Sequence, residues 1–387
     1  MIEVFLTFLR LGFTSFGGPI AHLGYFRDLF VREKKWLGEE EYADLVALCQ
    51  FLPGPASSQV GLAVGALRAG LPGAAAAWIG FTMPSTIALI LFALGLRNLD
   101  PGSDLSALQG LKILAVFVVA QAVTGMGRAL CPDWPRASLA AATAILILWF
   151  PGNLIQLGCI GGGALIGLLA FQPSPASSGT PDGFRISRRT GAVFLTLFFI
   201  GLFGLPWLAR LDPGGPLDLL GRFYRPGSLV FGGGHVVLPL LRAELPVEWL
   251  DQDTFMAGYG AAQAVPGPLF TFSAFLGTVL KSGPGGWTGG MLCLFGIFLP
   301  SFLLIPGILP FWNDLKKIAR IRKALVGVNA VVVGLLLAAL YDPVWTSAIG
   351  NHKDLTLLLI LALASHFWKW PLWSLVLLAG GLGWAML

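Results

Sequence analysis

Charge is scarce in this sequence: only 12% of its 387 residues are Asp, Glu, Lys or Arg. Soluble domains carry roughly 25%, so the chain has too little polar surface to face water on every side. Cysteine is sparse too. Cys49, Cys131, Cys159 and Cys293 stand singly in or beside apolar runs, with no CxxC and no metal-ligand spacing, which reads as small buried hydrophobes. No Walker A loop is present, which argues against ATP hydrolysis by this chain. No HxxxH and no acidic pair lies within an apolar run, so a membrane enzyme acting on a phosphate or oxyanion would lack its base, nucleophile or metal cluster. No cofactor is implied. The N-terminal MIEVFLTFLRLGF lacks a basic n-region and a small-residue cleavage site, so a cleaved signal peptide is not expected.

What is present is apolar residue, 56% of the chain. It falls into about thirteen segments near the length a membrane helix requires. They lie near 3–22, 43–66, 75–96, 108–128, 137–150, 153–171, 191–209, 222–241, 254–280, 287–311, 323–341, 354–367 and 371–387. The runs at 137–150 and 354–367 are short enough to merge with a neighbour into a hairpin. Between them, QPSPASSGTPDGFRISRRT at 172–190 is rich in Pro, Ser and Gly and reads as a flexible linker. The expected fold is an all-α polytopic membrane protein. The formal net charge of +5 does not indicate nucleic acid, because the basic residues sit in short loops, where they act as topology signals.

The chain also repeats itself. Arg10, Gly12, Phe16, Gly17 and Gly18 match Arg225, Gly227, Phe231, Gly232 and Gly233 at one constant offset of 215. Trp36, Gln50, Pro53, Gly54 and Pro55 match Trp249, Gln263, Pro266, Gly267 and Pro268, and GFTMPS at 80–85 matches GIFLPS at 296–301. Three ordered blocks with small indels are a poor product of chance. They divide the chain into a repeat at 1–171, the linker at 172–190, and a second repeat at 191–387 preceded by an extra span at 191–209.

If every segment crosses, seven lie between the two repeat starts, and the halves point in opposite directions. That is an inverted-topology repeat, common in transporters with a site at the bilayer midplane. Arg185, Arg188 and Arg189 in the linker, and Lys316, Lys317, Arg320, Arg322 and Lys323 further on, then share the cytoplasmic side, as the positive-inside rule prefers. The loop at 24–42, with Arg27, Arg32, Lys34 and Lys35, is a misfit. It becomes cytoplasmic if the FGG and PGP segments are re-entrant. Its acidic partner at 242–253, with Glu244, Glu248, Asp251 and Asp253, then becomes external, and the inversion is kept.

Irregular backbone at membrane depth survives only where it lines a protein-walled cavity. Gly17, Gly18 and Pro19, and Pro53, Gly54 and Pro55, each interrupt an apolar run; proline deletes a donor and glycine opens backbone angles other residues avoid. A helix restarting beyond such a break offers free N–H groups and a partial positive charge. Four such ends meeting near the midplane suit an anion. The plainer alternative is that Gly and Pro only permit close packing. Arg10 and Arg225, about two turns before each FGG, carry the guanidinium that matches a tetrahedral oxyanion; snorkelling to headgroups is the alternative for Arg10. His22 and His235 follow the FGG turns and can bind an anion, carry a proton or simply pack. Gln50 and Gln263 precede the PGP turns by three residues and can donate to an ion or to broken backbone. Phe16, Phe231 and Gly234 complete the candidate set. Lys112 and Asn329 show no clear repeat partner.

The stretches FTSFGGPIAHLGYF at 13–26, EEEYADLVALCQFLPGP at 39–55, SLVFGGGHVVLPLL at 228–241 and GYGAAQAVPGPLF at 258–270 strongly resemble the chromate ion transporter family in its long two-domain form. The resemblance covers nearly the whole chain. It implies efflux of chromate from the cytoplasm across the inner (plasma) membrane, resistance to chromate, and inverted halves. Sulfate, close in size and charge, is the alternative cargo. The implied partners are the oxyanion and membrane lipid, with a homodimer compatible and nucleic acid excluded.

Overall fold

The computed structural model describes residues 1–98, 106–150, 152–173, 186–231, 234–315 and 317–386; among them the chain is helical and has no strand. The first half opens with α1 (Ile2–Thr14), α2 (Gly18–Arg27) and a π-helical turn (Asp28–Glu33), then α3 (Glu39–Phe51) and α4 (Ala56–Arg97). It continues with α5 (Ser106–Leu130), α6 (Trp134–Trp149) and α7 (Asn153–Ala170). After α8 (Arg188–Leu208) the series begins again with α9 (Pro216–Leu229). A 3-10 turn (Gly234–Val236) leads into α10 (Val237–Glu244), followed by α11 (Gln252–Ala262). A second 3-10 turn (Leu269–Thr271) leads into α12 (Phe272–Val279), followed by α13 (Gly286–Ile308). The one-turn α14 (Trp312–Leu315), α15 (Ala319–Ala339), α16 (Thr346–Ala348), α17 (His352–His366) and α18 (Leu372–Met386) follow. Arg185, Lys316 and most of the linker lie outside the described residues, as do Gly232 and Gly233.

Thirteen apolar runs do not become thirteen long helices. Among the described residues, five helices are long and apolar enough to cross a bilayer: Ala56–Arg97, Ser106–Leu130, Arg188–Leu211, Gly286–Phe311 and Ala319–Ala348. The runs near 3–22, 43–66, 222–241 and 254–280 are cut at the FGG and PGP motifs instead, because Gly17 and Gly18 (φ +99° and +79°), Gly54 (φ +122°) and Gly267 (φ +98°) hold backbone that no helix continues. Even α4 is two helices, parted where Gly70 turns to φ +64°. The extra span begins at Arg188, three residues before the apolar run, because Ser187 caps it by accepting from the Thr190 N–H.

The helical pieces fold back in hairpins. Glu3 at the start of α1 pairs with Lys34 beyond α2 at 3.0 Å, and Lys34 and Arg68 both lie 5.0 Å from the Trp36 ring. The starts and finishes of α1–α2 and of α3 with the first part of α4 therefore share one end of the molecule. The Arg27 guanidinium bonds Glu39 twice at this end, at 2.9 and 3.0 Å, and holds its carboxyl below the usual carboxylate range. The second half does the same. Arg222 on α9 sits 4.5 Å over Trp249 and donates to the Glu244 carbonyl at the end of α10, while the Lys281 N–H reaches the Trp249 carbonyl.

The two long helices that follow the hairpins run antiparallel. Trp78 meets Phe298 and Phe302 at 5.6 and 5.3 Å, whereas Ile90 lies by Gly290, so numbers rising on one helix fall on the other. The remaining helices exchange partners: α7 packs on α15, and α18 packs on α5. A Cβ on Gly327 would strike the Gly163 carbonyl, and one on Gly110 would strike the Ala379 carbonyl. Small residues thus let the backbones touch. This correspondence corrects the sequence reading of Lys112 and Asn329. Each lies two residues beyond one of these glycines, within the similar tetrads ALQG at 107–110 and ALVG at 324–327. On the outside, Phe203, Leu154 and Leu169 are among the large apolar side chains left exposed, a surface suited to lipid.

Candidate functional site at the helix breaks

The four breaks meet, and they meet reciprocally. Gly54 in the first PGP turn donates its N–H to the Val230 carbonyl before the second FGG at 2.7 Å, and Gly267 donates to the Ser15 carbonyl before the first FGG at 2.8 Å. Ser15 and Val230 are repeat equivalents. A Cβ on Gly54 would lie 2.9 Å from Ser301 Oγ, and one on Gly267 would lie 3.1 Å from Ser85 Oγ, again equivalent positions in opposite halves. The FGG turns touch as well: a Cβ on Gly234 would sit 3.5 Å from the Pro19 ring. Residues 81–85 and 297–301 fall near the middle of the two antiparallel helices, so the breaks lie midway between the ends of the molecule.

Helices restart just beyond these turns. α2 starts at Gly18 behind a left-handed Gly17 with Pro19 in its first turn, and α4 starts at Ala56 behind the buried Pro55. Beyond the second-half turns, 3-10 geometry begins at Gly234 and, behind Pro268, at Leu269. His22 is 1% exposed. Its Nε2 lies 3.1 Å from the Ser15 carbonyl, an atom that can only accept, so Nε2 carries the proton and Nδ1 is left to accept from the Ser57 hydroxyl at 3.3 Å. In the second half, His235 Nδ1 lies 2.8 Å from the Tyr259 hydroxyl, and Gln263 is 6% exposed with its amide N–H₂ reaching the Tyr259 carbonyl.

Among the described residues, several polar atoms at this centre have no partner. Ser15 Oγ, Ser58 Oγ, Gln59 Oε1 and Thr82 Oγ1 are buried and make no hydrogen bond to any described residue, although the Gln59 amide N–H₂ donates to the Pro53 carbonyl at 2.6 Å and to Ser301 at 3.2 Å. A buried polar group left unmade costs about 1–3 kcal/mol, so four of them close to the breaks mark groups kept for a ligand or water. Three are hydroxyls, which donate to an oxyanion. Sequence reasoning missed all four, because lone Ser, Thr and Gln residues in apolar helices carry no motif.

Other candidates stand apart from the meeting point. Arg225 bonds Glu244, 3.1 Å from Nη1 to Oε1, in a pocket between α9, α10 and α7. Arg10 and Gln50 are exposed, and among the described residues neither side chain has a hydrogen-bond partner. Phe16, Phe231, Pro53 and Pro266 are half-buried.

Apolar helices around paired hairpins whose breaks converge at the centre define a multi-pass membrane protein of the transporter class. The chromate transporter profile matches twice, over residues 2–168 and 217–384, and this chain belongs to the chromate transporter family. It is 27% identical over 343 residues to a probable chromate transport protein of Synechococcus elongatus, covering 86% of this chain and 81% of that one. It is 27% identical over 362 residues to a chromate transport protein of Pseudomonas aeruginosa, covering 88% and 80%. An uncharacterized transporter of Methanocaldococcus jannaschii is 27% identical over 347 residues, covering 87% and 83%. No solved structure matches the chain.

Proposed function

We propose that this chain exports chromate, a divalent tetrahedral oxyanion, from the cytoplasm across the inner membrane and so confers chromate resistance. The observation that carries the reading is the reciprocal pair of hydrogen bonds, Gly54 to Val230 and Gly267 to Ser15, which draws the breaks of both repeats to one place. The halves, 1–171 and 191–387, form an inverted repeat joined by the linker at 172–190 and by α8. The antiparallel run of α4 and α13 supports this.

The FGG and PGP hairpins are re-entrant on this reading, dipping to the midplane and returning to their own side. The Glu3–Lys34 pair supports re-entry. The end bearing Arg27, Arg32, Lys34, Lys35, Arg68, Arg188 and Lys323 is cytoplasmic by the positive-inside rule, and the end bearing Asp218, Glu244, Asp251 and Asp253 is external.

At the centre the anion is held by backbone N–H groups at the restarting helices and by the hydroxyls of Ser15, Ser58 and Thr82, with no fixed cation beside it among the described residues. A site of dipoles rather than paired charges binds a dianion without trapping it, as transport requires. The membrane potential alone favours export of a dianion, by ~2.3 kcal/mol per charge per 100 mV. Sulfate offers the same shape and charge to these donors and is expected to compete. Labelled chromate uptake into everted vesicles, with potential and pH gradient varied separately, tests the reading. Protein-dependent uptake enhanced by the potential is expected. Sulfate uptake without chromate uptake would contradict the cargo.

A further inference from the structure

The second half seals its own approach to the centre. Arg225 lies in a pocket walled by Gln156 and Leu157 of α7, Leu229 of α9, and Leu240 and Glu244 of α10, and α10 packs on both α15 and α7. The first half has the same parts in a different setting. α2 packs on α3, α4 and its own π-helical turn, and among the described residues it has no comparable seat on α5 or α18, the counterparts of α15 and α7. Arg10, Thr14 and Tyr25 stand where the second half has Arg225, Leu229 and Leu240, and all three are exposed. Gln50 is exposed where Gln263 is buried. One of two equivalent approaches is shut and the other is open.

The far wall of the open approach belongs to α5. Over its last turns the exposed positions are Gln121, Thr124, Gly125, Arg128 and Ala129, spaced so that they form one face of the helix. None of these is a large apolar residue, although the chain's outer surface is built from Leu, Ile, Phe and Trp. Holding Gln and Arg against acyl chains is unfavourable, so this stripe faces water. The repeat correspondence puts it opposite α2, as α15 stands opposite α10.

We propose that the α1–α2 hairpin and the last turns of α5 line a water-filled vestibule open at the basic end, where Arg10 and Arg128 gather the divalent oxyanion before it reaches the breaks. The proposal rests on the anion-transport reading above. Arg10 stands about 8 Å along α1 from Ser15 at a helix rise of 1.5 Å per residue, and Arg128 lies nearer the mouth. The hydroxyls of Thr14 and Thr124 are given to the Arg10 and Ala120 carbonyls, which leaves the two guanidinium groups to supply the attraction. The opposite end is latched at the same time: Lys112 Nζ holds Asp253 at 2.8 Å and the Ser347 carbonyl at 3.3 Å. Among the described residues, its counterpart Asn329 makes no such tie at the basic end.

Single Gln121→Cys and Thr124→Cys variants test the vestibule, in a chain whose four native cysteines are replaced by alanine and which retains transport. Sealed vesicles of both orientations are treated with a membrane-impermeant anionic thiol reagent. Fast modification is expected only from the basic-end side, slowed by sulfate (chromate itself oxidises thiols), while Leu197→Cys on the outer face of α8 stays slow. Modification of the two α5 positions no faster than at 197, as when lipid or a second copy of the chain covers the stripe, overturns the vestibule. So does modification from the acidic-end side. Arg128→Gln is expected to raise KM for the anion several-fold with Vmax kept, and Arg128→Lys to restore it; an unchanged KM removes Arg128 from the path. If the labelling pattern holds but no chromate moves, the vestibule stands and the cargo assignment fails.

Discussion

Arg10 and Arg225 occupy the same position in two copies of one motif, yet they live in different surroundings. Arg225 is enclosed by α7 and α10 and neutralised by Glu244; Arg10 is exposed and unpaired among the described residues. The difference extends along both hairpins. Nearly every residue from Gly234 to Leu241 is buried, whereas Gly24, Tyr25 and Arg27 of α2 are exposed. Equivalent sequence here does not mean equivalent environment. A transporter that opens one side at a time must be asymmetric in any single state, and on the vestibule proposal the two hairpins differ because one side is open.

The strongest way to break the comparison is to attack what the halves share. Gly54→Leu and Gly267→Leu force a side chain onto left-handed backbone and against the opposite half, at Ser301 and at the Phe81 carbonyl with Ser85. Both are expected to abolish export, with Gly54→Leu also lowering membrane abundance because its site is fully enclosed. Normal export by either variant would refute the shared centre.

Next come the arginines, where the halves should part. Arg225→Ala leaves Glu244 largely buried without its partner. Breaking a fully buried pair costs 3–5 kcal/mol, and the partial exposure here reduces that to about 1–3 kcal/mol. A lower melting temperature and reduced abundance are expected. Arg10→Ala removes no partner, so abundance should stay at the wild-type level while KM for chromate rises. Equal loss of abundance in both would erase the distinction.

A smaller effect is expected at the latch. Asp253 is well exposed, so Lys112→Ala should cost less than about 1 kcal/mol of stability. It should nevertheless make the acidic end more accessible to thiol reagents; the matching Asn329→Ala should not. Smallest of all, Lys34→Ala is expected to leave stability within ~1 kcal/mol of wild type, since Glu3 and Lys34 both reach solvent.

Much of the architecture was legible in the letters. Helix breakers inside apolar runs announce where helices end and restart, and their duplication announces that two sets belong together. The loop at 24–42, misplaced when every run crosses, pointed to hairpins that return to their own end. Other features were not legible. That Arg10 and Arg225 differ depends on α7 and α18, helices far along the chain from the motifs they flank. The Lys112–Asn329 match rests on one short tetrad, ALQG against ALVG, and stands out only once the backbone contacts with α18 and α7 single out its glycine. The unpartnered hydroxyls of Ser15, Ser58 and Thr82 look like ordinary small residues until burial removes their other partners.

Convergence of the two sets of breaks is tested most directly at their closest equivalent residues. A Pro19→Cys/Gly234→Cys double variant, free of native cysteines and carrying a protease site within 172–190, is treated in membranes with a mild oxidant or a short bis-thiol reagent and then cut. The two halves are expected to stay covalently joined, and neither single variant should join them. Halves that separate after cutting, in protein correctly inserted and abundant, would contradict the account.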